Sequence, residues 1–446
     1  MAPQNTMNKV MRNIQGLFLA IAMTAVAGLS VSSCGKDKKP SEDRKVMIMM
    51  SLGYNSISTY LKEDLNDLKQ GYLPTKSASS DVLLIYSKQT KKSSDYSTPS
   101  ESALIRLYKD KNGVAIMDTL QTYPSSVISS TPQTIRNVLT YVQQEFKAKS
   151  YGIVFSSHGT GWLPPGYYAA PNNFTSSSIS PSSVKDRTSV GTGPHPVPYV
   201  EVPQDPNLPA VKTLGQEVVM EGTKKVSYEL EIEDLAGAIP MHLDYFLIDA
   251  CLMGGIETAY ALRNVADVIG FSPAEVLAEG FNYKTITQHL LQKKVADPVS
   301  VCKDYYDYYD AQSGTVRSAT ITVVDTKKLD AIATVCKDLF SKYREQIAAV
   351  SHSKVQVYYR QDHHWFYDLE DILIQAGASD EDIKRLSDAV STSILYKGAT
   401  PSFMGEFDIK HYSGYSMYLP NHGSTYLDNY YRNLSWNNAT LLVPQK

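Results

Sequence analysis

The sequence lacks an excess of positive charge. Its 446 residues include 43 Lys and Arg against 46 Asp and Glu, which gives a formal net charge of −3. Proteins that bind nucleic acids usually present a basic field to the phosphates, and a chain of this charge does not provide one. Nucleic acid is therefore not an expected partner. The sequence also has no internal repeat, and its hydrophobic content of 43% is enough for a sizeable globular core.

Cysteine is scarce. The four cysteines, Cys34, Cys251, Cys302 and Cys336, include no pair at the close CxxC spacing of zinc and redox sites, so no metal site is expected. Cys302 and Cys336 are predicted to be small buried packing residues. A disulfide between these two is the open alternative in an oxidising compartment.

Long apolar runs are almost absent, and the one that stands out lies near the N-terminus. Residues 17–29 are apolar but too short to span a bilayer comfortably, and they follow a basic segment, so residues 1–33 are predicted to be a signal peptide. The following VSSC sequence resembles the lipobox of bacterial lipoproteins, although Val stands where Leu is commonest. Cys34 is therefore the predicted lipidation site, and the charged residues 34–44 are the predicted tether. The alternative is an ordinary secreted protein with a cysteine after its cleavage site.

Apolar strands and amphipathic helices alternate in the rest of the chain. Short apolar runs at residues 46–51, 81–86, 153–155 and 246–248 are typical of buried parallel strands, and a helix-spaced apolar pattern lies between the second and third. This alternation predicts an α/β fold with a mostly parallel sheet flanked by helices. Residues 326–446 are predicted to be either an extension of this sheet or a small subdomain, and we favour the subdomain.

Residues 160–226 interrupt the alternation. They are rich in Pro, Ser, Gly and Tyr and have almost no apolar period, which predicts an irregular loop. A loop of this length inside a compact domain is usually functional or disordered.

A histidine and a cysteine each follow the end of an apolar strand on either side of this loop. The carboxyl ends of parallel strands are where open α/β sheets place their chemistry, so His158 and Cys251 are expected to meet there. Gly159 allows a substrate backbone to approach, and its amide can point at an oxyanion. A helix predicted after Cys251 is expected to lower the pKa of the thiol through its N-terminal dipole. These features predict a cysteine peptidase site.

The His158-Gly159 pair and the DACLM segment at residues 249–253 together resemble the clostripain-like cysteine peptidases, which are relatives of caspases, gingipains, legumain and separase. The resemblance covers most of the chain after the tether. It implies a caspase-like fold with residues 45–325 as the catalytic domain. It further implies Cys251 as nucleophile, His158 as general base and then acid, and the amides of Gly159 and Cys251 as oxyanion donors, with no third catalytic residue required.

The resemblance also implies cleavage after Arg or Lys, with an acidic residue two positions before the cysteine. Asp249 stands there, and its alternative role is to cap the helix that follows. Glu275 and Glu279 are further substrate-binding candidates, although the sequence around them departs from the acidic loop usual in the family. Calcium dependence occurs in part of the family, but no set of ligands here has convincing spacing, and we expect no cofactor.

Many relatives cut themselves between the histidine and the cysteine. Basic residues of the irregular segment are the candidates for such processing, namely Lys185, Arg187, Lys212, Lys224 and Lys225, and the first two are favoured because they lie in the least ordered sequence. The segment is therefore a predicted activation linker. The alternative is a lid folded over the site.

The sequence as a whole predicts an exported, monomeric endopeptidase that acts on peptides or proteins. Its only membrane attachment is expected to be the lipid at Cys34, which would hold it to the bacterial cell envelope, at the outer membrane on the periplasmic or surface face; the alternative is a secreted protein. From a different functional class, the alternative is a non-catalytic surface lipoprotein that uses a caspase-like fold for binding.

Overall fold

A computed structural model describes most of the chain after the predicted tether. The described residues are 43–53, 57–77, 80–89, 100–174, 196–202, 205–212, 216–360, 365–420 and 424–445. Within them, no helix is both long enough and apolar enough to cross a membrane.

The strands and helices of the described residues follow in chain order. The strands are β1 (Lys45–Gly53), β2 (Val82–Gln89), β3 (Ser102–Lys109), β4 (Ala115–Tyr123), β5 (Ser150–Ser156), β6 (Val197–Pro198), β7 (Gln216–Glu221), β8 (Lys224–Glu229), β9 (Leu243–Asp249), β10 (Ala266–Phe271), β11 (Thr320–Asp325), β12 (Tyr367–Asp368), β13 (Ile394–Ala399), β14 (Ser402–Phe403), β15 (Phe407–Asp408) and β16 (Ser416–Met417). The α-helices are α1 (Ser58–Leu68), α2 (Pro132–Glu145), α3 (Ile232–Ala238), α4 (Ile256–Leu262), α5 (Tyr283–Thr287), α6 (Pro298–Asp310), α7 (Leu329–Lys342), α8 (Arg344–Ala349), α9 (Leu369–Gln375), α10 (Asp380–Ser393), α11 (Thr425–Tyr431) and α12 (Ser435–Thr440).

A nine-stranded sheet organises the fold, in the order β13-β11-β10-β9-β5-β1-β2-β3-β4. The strands from β10 to β2 are parallel to one another, and the two strands at each edge are antiparallel to their neighbours. The predicted α/β class, with a mostly parallel sheet flanked by helices, is confirmed. The central strand β1 is buried on both faces, as its unbroken run of apolar residues requires.

Local sequence explains why the helices begin where they do. In α2, Thr131 accepts a hydrogen bond from the amide of Thr134, and Pro132 occupies the first turn, where its missing N–H costs nothing. Its buried residues Ile135, Val138 and Leu139 recur at helical spacing and pack on the sheet side. The helix thereby delivers the chain to β5, which carries the histidine.

The C-terminal part of the chain continues the main sheet. Strand β13 pairs with β11, and buried side chains of residues 326–446 belong to the same hydrophobic cluster as those of the central strands. Residues Ser41–Lys446 form one compact unit. Residues 326–446 therefore pack as an extension of the main sheet and not as a separate subdomain. That the catalytic domain ends at residue 325 stays a prediction. Cys302 and Cys336 are free and fully buried, so they are packing residues.

The described part of the segment 160–226 is more ordered than its composition predicts. Strands β6, β7 and β8 form a small antiparallel sheet in the order β6-β8-β7. The prediction of a wholly irregular loop is wrong here, because Gly222, with φ of +63°, turns the chain between β7 and β8. Val218 of β7 is fully buried, and Tyr199 and Val219 pack against it.

Candidate active site

The register of two parallel strands brings the histidine and the cysteine together. Strands β5 and β9 are neighbours, and their last paired residues are Ser156 and Asp249. His158 and Cys251 each lie two positions beyond that pair. The two turns touch, because a β-carbon on Gly159 would clash with the carbonyl oxygen of Cys251. The predicted juxtaposition of the two reactive residues is therefore present.

The thiol of Cys251 is enclosed and held by the backbone of Val276. The Val276 amide donates to Sγ over 3.1 Å, and Sγ lies 3.6 Å from the carbonyl oxygen of the same residue. Burial, followed by the nearby carboxylate of Glu275, raises the pKa of this thiol well above its ordinary value. The predicted lowering of this pKa by a helix N-terminus is not found: α4 begins only after Gly255, four residues beyond the cysteine, and the pKa is raised.

His158 is buried and neutral in the same state. It is 3% exposed, and within the described part of the chain its Nδ1 atom has no hydrogen-bond partner. Burial, with a smaller contribution from the positive charge of Lys212, lowers the pKa of His158 well below its ordinary value. The two pKa shifts favour the uncharged forms of both groups, a protonated thiol on Cys251 and a neutral imidazole on His158.

A lysine from the linker fills the space next to this pair. The side chain of Lys212 is fully buried, and its ammonium forms an ion pair with Asp249 Oδ2. The same ammonium lies 3.2 Å from Asp64 Oδ2 and donates to Ser156 Oγ over 3.0 Å. Burial alone would lower the pKa of Lys212, but the two carboxylates hold it above its usual value. The lysine is therefore charged, although no part of it reaches solvent.

The backbone of residues 210–212, which ends at this lysine, pairs with the backbone of residues 276–278. The amide of Lys212 donates to the carbonyl of Val276 over 2.9 Å, and the amide of Ala278 donates to the carbonyl of Ala210 over 2.9 Å. An antiparallel bridge joins the two segments between these bonds. Main-chain pairing combined with a side-chain pocket is how extended peptides are commonly recognised. Residues 210–212 thus lie beside the cysteine in the manner of a bound peptide.

Asp249 lies at the base of the lysine pocket. Besides Lys212, its Oδ2 atom accepts hydrogen bonds from Tyr283 over 2.6 Å and from Ser156 over 3.3 Å. The alternative role of capping the next helix is not what the structure has, because the N-cap of α4 is Gly255 and no side chain caps that helix. The carboxylate therefore faces a basic side chain, as the sequence predicts.

Asp64 is a pocket residue that the sequence analysis missed. It lies on α1, far in sequence from the ends of β5 and β9, and it is 5% exposed. The helical spacing could have predicted its burial, because Asp64 lies on the same buried face of α1 as Leu61, Leu65 and Leu68. A carboxylate at a core-facing position of an amphipathic helix needs a partner, and here the partner is Lys212.

Glu275 and Glu279 do not reach the lysine. Glu275 is fully buried and accepts two hydrogen bonds from the guanidinium of Arg360, over 2.6 Å and 3.1 Å. Its charge is therefore already matched by a cation of the protein. Glu279 is exposed at the surface. Of the three predicted substrate-binding carboxylates, the structure brings only Asp249 into contact with the ammonium of Lys212.

Some predicted sites fall in parts of the chain without a structural description. Lys185 and Arg187, the favoured processing candidates, and Cys34, the lipidation candidate, lie outside the described residues. In the part that is described, no group of three or more His, Cys, Asp and Glu residues is arranged to hold a metal ion.

Comparison with known proteins gives a family and several similar structures. The model of the clostripain family matches residues 50–172 and 211–442. A structure described as an inactive zymogen C11 protease from Parabacteroides distasonis is 27% identical, with a TM-score of 0.66, and the match covers 90% of this chain and 99% of that one. No curated protein sequence matches the chain.

Two further similar structures come from Bacteroides thetaiotaomicron. One is a secreted C11 cysteine protease in complex with an irreversible peptide inhibitor, with 22% identity, a TM-score of 0.65, and 89% of this chain and 99% of that chain covered. The other is a secreted C11 cysteine protease called iotapain, with 21% identity, a TM-score of 0.65, and 90% and 100% covered. At these identities the two structures support the fold.

Proposed function

This chain belongs to the clostripain family of cysteine peptidases, and from that premise we propose that Cys251 and His158 are its catalytic pair. His158 takes the proton of the thiol, and the resulting thiolate attacks the carbonyl carbon of the scissile bond. The amides of Gly159 and Cys251 donate to the oxyanion that forms. His158 then gives the proton to the leaving amine, and water releases the acyl group from the sulfur with His158 as its base.

We further propose that the enzyme cuts after a basic residue. The supporting observation is the occupied pocket: a buried ammonium contacts Asp249 at the end of the strand that carries the cysteine. A carboxylate buried away from water favours a cationic side chain strongly, since an unpaired buried charge is costly.

The same observation supports self-processing after Lys212. Residues 210–212 already lie along the segment beside the nucleophile, with the lysine in the pocket. The structure with 27% identity is itself described as an inactive zymogen, which agrees with this proposal. Lys212 thus takes precedence over Lys185 and Arg187 as the processing residue. Until it is cut, the intact chain blocks its own site, because the linker excludes both substrate and the water that would stabilise a thiolate and an imidazolium.

The chain is also anchored just beyond the proposed cut. Glu217, in β7, forms a buried ion pair with Lys88 of β2 at 2.7 Å, and its other oxygen accepts from the amide of Ser129 over 2.5 Å and from the hydroxyl of that serine over 2.6 Å. Breaking a buried pair of this kind is strongly unfavourable. The two fragments produced by the cut therefore stay associated, while residues 210–212, no longer joined to β7, leave the site.

Export and anchoring complete the proposal. The N-terminal apolar run and the VSSC sequence favour a signal peptide and a lipid on Cys34, with residues 34–44 as tether. Both similar Bacteroides proteins are described as secreted. The mature enzyme then acts as a monomer on peptides or proteins outside the inner membrane.

The test is hydrolysis of reporter peptides that contain a single Lys or Arg. Wild type is compared with Cys251→Ala and with Cys336→Ala, because Cys336 is also free and fully buried and lies on α7. We expect hydrolysis by wild type and Cys336→Ala and none by Cys251→Ala. Equal hydrolysis by all three proteins would remove Cys251 from the mechanism, and none by any of them would favour a non-catalytic binding protein.

A further inference from the structure

The lysine pocket offers one acceptor for each donor of an ammonium. The Nζ atom of Lys212 contacts three oxygens: Oδ2 of Asp249, Oδ2 of Asp64 at 3.2 Å and Oγ of Ser156 at 3.0 Å. A lysine ammonium has three N–H donors and no acceptor, so this arrangement satisfies it completely. An arginine guanidinium has five donors in a rigid planar fork and would need a different set of acceptors.

Gly280 and Tyr283 line the pocket close to the ammonium. Gly280 has φ of +63°, and a β-carbon there would overlap both Asp249 Oδ2 and the Nζ of Lys212. The other carboxylate oxygen of Asp249 faces the same glycine, 2.6 Å from that β-carbon position. On another side, the ring of Tyr283 has its centroid 5.7 Å from Nζ. Within the described residues Oδ1 of Asp249 has no hydrogen-bond partner, so Asp249 holds the ammonium through Oδ2 alone.

The second carboxylate comes from a separate element and is fixed in place. Asp64 is carried by α1, and its neighbours on that helix, Leu61 and Leu65, are buried in the core. The packing of these neighbours holds the Asp64 side chain towards the ammonium. Its contact with Lys212 is made from α1, a different direction from that of Asp249 in β9. The ammonium of Lys212 is therefore contacted by two aspartates that come from two separate elements.

We propose that this pocket selects lysine over arginine at the cleavage site and that Asp64 is the residue that determines the selection. The inference rests on the proposed function, since it describes the substrate of the same site. Asp249 supplies attraction for any basic side chain. Asp64, with Ser156, closes the coordination around an ammonium and leaves a guanidinium with unsatisfied donors.

The experiment uses processed enzyme and two peptides that differ only in Lys or Arg at the cut. Wild type is expected to have kcat/KM at least about tenfold higher for the Lys peptide, because a buried donor left unpaired costs about one to two powers of ten. Asp64→Asn keeps the size but removes the charge; we expect kcat/KM for Lys to fall about 10- to 100-fold, mainly through KM, and the Lys-to-Arg ratio to approach one. Asp67→Asn, on the same helix and 43% exposed, is the matched control and should retain the wild-type ratio.

A second readout does not require mature Asp64→Asn enzyme. In Lys212→Arg the chain presents arginine to its own pocket, and self-cleavage after residue 212 should be at least about tenfold slower than in wild type. For the peptide experiment, Asp64→Asn is matured by a trace of tagged wild-type enzyme, and the wild-type enzyme is then removed through its tag. Equal Lys and Arg rates in wild type, an unchanged ratio in Asp64→Asn, or undiminished self-cleavage of Lys212→Arg would each overturn the proposal while Cys251-dependent hydrolysis persists. Failure of the proposed function differs, because wild type would then cleave neither peptide.

Discussion

Replacing Lys212 by alanine should unblock the active site of the intact chain. The lysine holds the linker through a buried ion pair with Asp249, a second carboxylate contact with Asp64 and a hydrogen bond to Ser156. Removing one partner of a buried pair typically costs about 3–5 kcal/mol, which is a factor of about one hundred to a few thousand in the ratio of docked to undocked linker. Burial raises the pKa of Asp64 to about 7, so this carboxyl readily takes up a proton once the cation has gone. That protonation offsets part of the loss, and we therefore expect the lower end, about a hundredfold.

The assay is covalent labelling of Cys251 by a tagged, lysine-containing peptide electrophile. Label and cleavage are followed on the same gel, so that intact chain and fragments are distinguished. In wild type the fragments should carry the label while the intact band stays nearly free of it. In Lys212→Ala the intact band itself should be labelled, about a hundredfold faster than intact wild type.

Lys224→Ala is the matched control for this assay, since Lys224 is an exposed lysine of the same linker and should leave the labelling pattern unchanged. The reasoning fails if intact wild type is labelled as fast as intact Lys212→Ala, because Lys212 would then not be what blocks the site. It also fails if Lys212→Ala resists label altogether.

Three further perturbations follow from the same geometry. Gly280→Ala should reduce cleavage after lysine by about a hundredfold or more, because the new methyl group enters the pocket; Gly405→Ala, also at positive φ but with open space around it, should not. Arg360→Gln should lower the free energy of unfolding, measured in urea, by about 3–5 kcal/mol, since it leaves Glu275 buried without its cation. The double variant with Glu275→Gln should recover much of that loss, and no recovery would argue against the ion pair as the cause. Burial raises the pKa of Asp64, to about 7 in the intact chain, so this carboxyl loses its charge as the pH falls through that region. The ratio of kcat/KM between wild type and Asp64→Asn for a Lys peptide should therefore grow from about pH 6 to about pH 8, and a flat ratio would contradict this charge assignment.

Strand patterns were sufficient to predict the residues that the register of the sheet brings together. His158, Cys251 and Asp249 all lie at or just beyond the ends of β5 and β9, and adjacent parallel strands align those ends at one edge. This explains why the mostly parallel sheet and the meeting of its two reactive residues could be predicted from short apolar runs alone. The apolar run of each strand is a local pattern that shows where the strand lies and where it ends.

Residues whose position depends on the path of the chain could not be predicted in the same way. The choice among Lys185, Arg187 and Lys212 depends on which part of a long linker pairs with residues 276–278, and composition does not encode this. Asp64 reaches the pocket only because α1 packs across the strand ends. The direction of the pKa shift of Cys251 could not be predicted for a related reason, because its burial is a tertiary effect that no local pattern reports.

The central claim is that the intact enzyme binds its own Lys212 as its first substrate. Mass spectrometry of the freshly purified chain after incubation, beside Cys251→Ala, measures this directly. The claim predicts a wild-type fragment that begins at Thr213 and no such fragment in Cys251→Ala alone. A wild-type chain cut after Lys185 or Arg187 but never after Lys212, or a Cys251→Ala chain that cuts itself, would contradict it.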